Sequence, residues 1–223
     1  MRNMLIVAGG LVAVAAIAAG VYFGTRPASP GPTPTPAAAT TASPDKAAIL
    51  SVQPNDHVEG DPNAPITLIE YASFTCPHCA HFNTVELPKI KEKWIDTGKV
   101  KLVYRDFPLD QTAAKAAELA QCAGKDKYFA VVDMIFRGQL NWATASDPIA
   151  ELSKSLRIAG MGEKEVKACL ADPKVADAVV ASYRSGEQVG VDSTPTLFIN
   201  GEKFTGARPI EELEATFNKL LKK

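Results

Sequence analysis

The chain has 223 residues, 46% hydrophobic and 22% charged, the composition of an ordinary globular protein of one domain or two small ones. Its formal net charge is −1, and residues 45–223 hold 22 basic and 25 acidic side chains, a balance that gives no electrostatic basis for nucleic-acid binding. The four cysteines, Cys76, Cys79, Cys122 and Cys169, are too few to build a disulfide scaffold; an even count fits two pairs, with three connectivities open.

Met4 to Phe23 carries no charge and follows Arg2. Twenty helical residues span about 30 Å, the thickness of a bilayer core, so the run reads as an uncleaved membrane anchor. A cleaved signal peptide stays open beside it, because Ala16-Ile17-Ala18 offers small residues for a cleavage site. Either way residues 1–24 would carry the rest of the chain across a membrane. Thr25 to Pro44 then holds six prolines among small and hydroxyl residues. That stretch cannot bury a core and reads as a semi-rigid linker over 25–44, reaching up to about 60 Å if fully extended.

From residue 45 the pattern alternates. Ile66 to Tyr71 is β-branched and apolar with one acid, Glu70, and reads as a strand. A helical pattern runs from about Cys76 to Thr97, with Pro88 inside it as an expected kink. Lys99 to Arg105 reads as a second strand. Residues 111–188 show no good strand and hold helical segments near 111–123, 126–137, 147–157, 162–170 and 173–188, whose alanines and larger apolar residues would form a core of their own. Thr196 to Ile199 is a strand, Asn200-Gly201 a hairpin turn, and Lys203 to Thr205 the return strand. Pro209, at a first helical position, opens a last helix to Lys222. The order is β-α-β, a helical block, then β-β-α: residues 45–110 and 189–223 make an α/β domain interrupted by 111–188.

The sharpest chemical feature is Cys76-Pro77-His78-Cys79, just past a strand and at the start of a helix. Two cysteines three apart there can bring their sulfurs within bonding distance. The first sits beside unpaired N–H groups and the positive end of the helix dipole, which favours its thiolate. The His78 imidazole is expected to add to that. The other reading of such a pair is half a zinc site, but zinc needs further ligands, and His57, His81, Cys122 and Cys169 form no second tight cluster. No metal is expected. Ser193-Thr194-Pro195-Thr196 leads into the third strand, where a cis proline would bend the chain sharply and could bring Thr194 and Pro195 against the Cys76 sulfur.

Together these motifs make the chain resemble the DsbA family of thiol–disulfide oxidoreductases, a thioredoxin fold with an inserted helical domain. The resemblance covers about residues 55–222. It rests on Glu70 through Cys79, on Tyr104-Arg105-Asp106-Phe107-Pro108, and on Ser193 through Gly201. It implies that Cys76 is the exposed nucleophile, Cys79 the buried resolving sulfur, Pro195 the cis-proline and Glu70 the buried acid near the resolving cysteine. It implies no cofactor. The partners it implies are exported proteins with cysteines and a quinone-linked membrane protein that reoxidises the enzyme in the periplasm. A Thr in place of a Val before the proline, the second cysteine pair and the possible anchor depart from the best-known enterobacterial form, and this mix is similar to alphaproteobacterial members. By that similarity, and by the oxidising compartment, Cys122 and Cys169 are expected to form a structural disulfide; two buried free thiols are the alternative.

The remaining candidates are plainer. His81 reads as surface, His57 as a loop residue before the fold proper, and Lys89, Lys91 and Lys93 as a solvated face. The leading function is a dithiol oxidase. A disulfide isomerase or reductase using the same residues, an assembly factor for one client, and a module that only holds peptides stand as alternatives.

Overall fold

The computed structural model describes residues 45–222, so the apolar run and the proline-rich segment at 25–44 lie outside the described residues. Among the described residues no helix is long and apolar enough to cross a membrane.

Two strands form the centre because nearly every side chain on them is buried. In β2 (Ile66–Ala72) and β3 (Val100–Asp106) only Thr67 and Lys101 are partly exposed, the mark of parallel strands covered on both faces. They pair in parallel, Ile66 opposite Val100 and Ala72 opposite Asp106. β4 (Thr196–Ile199) runs antiparallel to β2, and β5 (Glu202–Thr205) closes the far edge. The turn between them has Asn200 at φ 46° and Gly201 at φ 89°. Two successive positive φ values suit a two-residue hairpin and are disfavoured for most side chains. With a short edge strand, β1 (His57–Glu59), the sheet order is β1-β3-β2-β4-β5.

β1 (His57–Glu59) is the strand that the sequence pattern does not reveal. It pairs antiparallel with β3, His57 opposite Tyr104. His57 is therefore a strand residue, not the expected loop residue. Its ring stacks on Tyr128 at 3.5 Å and bonds Gln121 at 2.9 Å. Just upstream, α1 (Lys46–Ile49) and the following turn are tied down by Arg105, which is 4% exposed. Its guanidinium donates to both Asp56 carboxylate oxygens at 3.0 and 2.7 Å, to the Ile49 and Ser51 carbonyls, and to the Tyr71 hydroxyl.

One face of the sheet, with Leu68, Leu102, Leu197 and Ile199, packs on the long helix after β2 and on α10 (Ile210–Leu221). Pro209 is the N-cap residue of α10, one position before the first helical turn where it was expected. The helix after β2 is unbroken at Pro88. It is α-helical over α2 (Pro77–His81) and α3 (Leu87–Ile90) and widens into π turns at Phe82–Glu86 and Lys91–Ile95. Proline has no N–H to give, and wide turns re-route the bonds around it. The lysines on this helix are not merely solvated: Lys91 pairs with Glu59 at 2.8 Å, Lys93 with Glu214 at 3.2 Å and Lys89 with Glu86 at 3.2 Å.

Between β3 and β4 lie only helices: α4 (Gln111–Gln121), α5 (Tyr128–Arg137), α6 (Gln139–Trp142), α7 (Pro148–Leu156), α8 (Glu163–Leu170) and α9 (Pro173–Val189). Their apolar residues form a core of their own that also takes in Phe74, Cys76, Cys79 and Tyr104. α9 closes the second face of the sheet through Tyr183 and Val189. Its backbone comes so close at Gly186 that a Cβ there would lie 2.7 Å from a ring carbon of Phe107.

Candidate active site

The reactive segment begins where β2 ends. Cys76 is the N-cap of α2, extended at φ −82° and ψ 119°, and Pro77 opens the helix. Proline suits that place because its missing N–H would be unpaired there anyway. The N–H groups that remain free point back at the cap, where a negative sulfur is favoured.

Cys76 and Cys79 are both free thiols, 7% and 0% exposed. Their acidities are driven apart. Cys76 is pulled down to about 5, first by the Cys79 thiol that donates to it, against the opposing cost of burial, then by the Thr194 side chain and the N–H groups of Cys79 and His78. Burial pushes Cys79 far up, helped by its bond to Cys76 and by the neighbouring Glu70. One sulfur is thus poised as thiolate while the other holds its proton. The Thr194–Pro195 peptide bond is cis, and the Thr194 carbonyl lies 3.3 Å from the Cys76 sulfur, where it can accept the S–H when that thiol is protonated.

Glu70, on the face of β2 that looks at the helix, is fully buried. The Asn83 Nδ2 donates to it at 2.7 Å and to the Cys79 carbonyl at 3.0 Å. The other carboxylate oxygen has no partner. Burial pushes the acid up to about 8, with the Asn83 bond opposing and the Cys76 charge adding. Near neutral pH a protonated acid therefore lies beside the buried thiol.

This geometry has known counterparts. A family profile described as Thioredoxin matches residues 52–219. The crystal structure of Wolbachia pipientis alpha-DsbA1 is similar with a TM-score of 0.73 and 33% identity, over 79% of this chain and 96% of that one. The chain belongs to the DsbA family of thiol–disulfide oxidoreductases. A Rickettsia bellii relative named "Putative protein-disulfide oxidoreductase" is 30% identical over 177 residues, 77% of this chain. The chain spans 67% of that protein and 62% of its Rickettsia conorii counterpart, so about two thirds or less of these relatives' length. Oxidised BdbD from Bacillus subtilis, at 22% identity and a TM-score of 0.70, shares the fold. The thioredoxin fold with an inserted helical domain, expected from the motifs, is the fold of this DsbA-family chain.

Two expectations at the site need correction. Cys76 is nearly buried rather than exposed, because the Thr194–Pro195 turn, 118 residues away in sequence, lies against its sulfur. And what His78 brings to Cys76 is its backbone N–H, while its ring is exposed to solvent. His81 is exposed as well, 4.0 Å from Glu86.

Cys122, at the C-cap of α4, and Cys169, on α8, are joined in a disulfide that closes 47 residues of the helical block. Among the described residues no group of three or more His, Cys, Asp or Glu could hold a metal ion. Sequence reasoning missed Asn83 and Gln139. Asn83 left a faint signal, four residues after Cys79 and so on the same helical face. Gln139 left none, since the two carbonyls it binds, those of Phe74 and Cys76, belong to a distant part of the chain.

Proposed function

We propose that this DsbA-family chain donates disulfides to exported proteins that carry cysteines, through Cys76 and Cys79. The observation that carries the reading is the contrast between the two sulfurs, one drawn to its thiolate at about 5 and the other held as thiol. A client thiolate attacks Cys76 of the oxidised enzyme. The Cys76–Cys79 bond breaks, and Cys79 takes the electron pair and a proton, for which the buried acid of Glu70 is the neighbouring source. A second client thiolate then attacks the client's own sulfur in the mixed disulfide and expels Cys76. A stable thiolate leaves readily, and its stability makes the enzyme's disulfide a strong oxidant. The client gains a disulfide and the enzyme two electrons, which the quinone-linked membrane partner implied by the family resemblance would remove.

In this reading Pro195 and Thr194 form the wall against which an extended client lies, Pro77 starts the helix, and His78 acts through its N–H, its ring facing the client. The uncharged Met4–Phe23 run supports a periplasmic site of action, with the chain either released or held at the inner membrane. Cys122–Cys169 is a structural brace for the helical domain at 111–188.

Replacing Cys79 with Ser tests the cycle in cells. With serine at 79 the enzyme's own disulfide cannot form, but the Cys76 thiolate can still attack a disulfide in a client, displacing one client sulfur as thiolate. Serine cannot then release the mixed disulfide from the enzyme side, so such adducts should accumulate on Cys76 and vanish on reduction. Several bands on a non-reducing gel are expected. One dominant band would point to a single-client assembly factor, and no Cys76-dependent adduct at all would contradict dithiol exchange.

A further inference from the structure

The helical block binds the backbone of the active-site turn through a polar side chain. Gln139, the first residue of α6, is 4% exposed. Its Nε2 donates to the Phe74 carbonyl at 2.7 Å and to the Cys76 carbonyl at 3.0 Å. The Cys76 carbonyl also accepts the Ala80 N–H at 3.1 Å, the first bond of the reactive helix. Both lone pairs of that oxygen are thus filled, one from within the helix and one from the inserted block. The same turn is gripped twice more from this side. The Thr75 hydroxyl donates to Asp110 at 2.6 Å, whose other oxygen caps the Ala113 N–H at 2.8 Å at the start of α4. The Leu109 N–H donates to the Ser73 hydroxyl at 3.2 Å.

We propose that Gln139 is a positioning residue for the reaction at Cys76, holding the Cys76 peptide so that the His78 and Cys79 N–H groups stay aimed at the sulfur. The ψ angle of Cys76 decides where its carbonyl points and where the following N–H groups lie relative to its own side chain. A hydrogen bond weakens steeply once its angle is lost. A carbonyl held at two corners cannot swing, whereas one held only by Ala80 can rock with the end of the helix, where bonds fray first. The inserted domain thereby sets the redox chemistry of the thioredoxin domain, beyond covering it. The inference rests on the proposed role of Cys76 as the attacking sulfur.

The alternative is that Gln139 only satisfies two buried carbonyls, which would make its loss a matter of stability alone. The test uses the full chain, reduced at the Cys76–Cys79 pair with Cys122–Cys169 intact. Gln139→Met keeps the length and removes both donors. Gln139→Glu puts an acceptor against two carbonyl oxygens. Leu152→Ala, a fully buried position in the same block, is the control for lost stability. The titratable groups around Cys76 are Cys79 and His78 on α2, Glu70 on β2 and Asp110 at the cap of α4; Gln139→Met changes the charge of none of them.

Three quantities are read: the pH midpoint of the Cys76 thiolate, the exchange equilibrium with glutathione, and the thermal midpoint. Gln139→Met should raise the thiolate midpoint by about one pH unit, and the protein should become an about tenfold weaker oxidant, or about 30 mV. Gln139→Glu should move both further the same way. Leu152→Ala should lower only the thermal midpoint. If the Gln139 variants lower the thermal midpoint as Leu152→Ala does and leave the thiolate midpoint and the glutathione equilibrium in place, the positioning role is overturned. A wild-type midpoint near that of an ordinary thiol would overturn the reading of Cys76 itself, and this inference with it.

Discussion

Replacing Cys79 with Ala removes the strongest of the groups that draw Cys76 down from 9.0 to about 5. The donated bond from a thiol to a thiolate is charge-assisted. Such bonds contribute about 1.5–3 kcal/mol, and one pH unit corresponds to about 1.36 kcal/mol. The Cys76 midpoint should therefore rise by roughly one to two units, to about 6–7. It should not reach 9.0, because the Thr194 side chain and the N–H groups of His78 and Cys79 remain. Serine at 79 keeps a donor and should give a smaller rise. The assay is the ultraviolet absorbance of the thiolate against pH, checked by the pH dependence of iodoacetamide labelling at Cys76. With Cys122 and Cys169 bonded, no other thiol contributes in Cys79→Ala. A midpoint still near 5 in that variant would show that the helix start alone stabilises the thiolate and would refute the reasoning.

Glu70→Gln tests the buried acid through stability. A free Glu titrates at 4.5 and Glu70 at about 8, so between those values the folded reduced protein holds a proton that the unfolded chain has lost. Stability conferred by that proton is full below pH 4.5 and falls as pH rises to about 8. Wild type should therefore lose on the order of a few kcal/mol relative to Glu70→Gln across that window in denaturant unfolding, and a pH-independent difference would contradict the assignment. Replacing Cys122 and Cys169 with Ala frees a loop of 47 residues. Chain entropy sets that loss at about 4 kcal/mol, so calorimetry should show a thermal midpoint lower by roughly 8–16 °C, with Cys76 labelling unchanged. Gly186→Ala should destabilise despite alanine's better helix propensity. The added methyl would meet Phe107 at 2.7 Å, and overpacking of about 1–3 kcal/mol outweighs a propensity gain of about 1; a higher midpoint in denaturant would contradict the close packing.

The chemistry was legible because it is local. Cys76, Pro77 and Cys79 sit within one helical turn, and the strand before them and the turn at Pro195 carry their own residue signals. The central strands were legible because burial on both faces leaves an apolar run, and the hairpin because Asn200-Gly201 accepts positive φ. What stayed hidden depends on contacts far apart in sequence. β1 is three residues long and exists only against β3, so His57 looked like loop. The second bond to the Cys76 carbonyl comes from Gln139, which has no periodicity linking it to the motif. Around Pro88 the helix is continuous but widens into π turns at Phe82–Glu86 and Lys91–Ile95, a departure from α geometry that no residue pattern marks.

The reduction potential of the Cys76–Cys79 pair, measured by equilibrium with glutathione on the intact chain, tests the central claim most directly. The groups that draw Cys76 towards its thiolate stabilise the reduced form and so make its disulfide oxidising. The value should lie towards about −120 mV, the range of a disulfide donor. A value near about −270 mV, that of a thioredoxin-type reductant, would contradict the account.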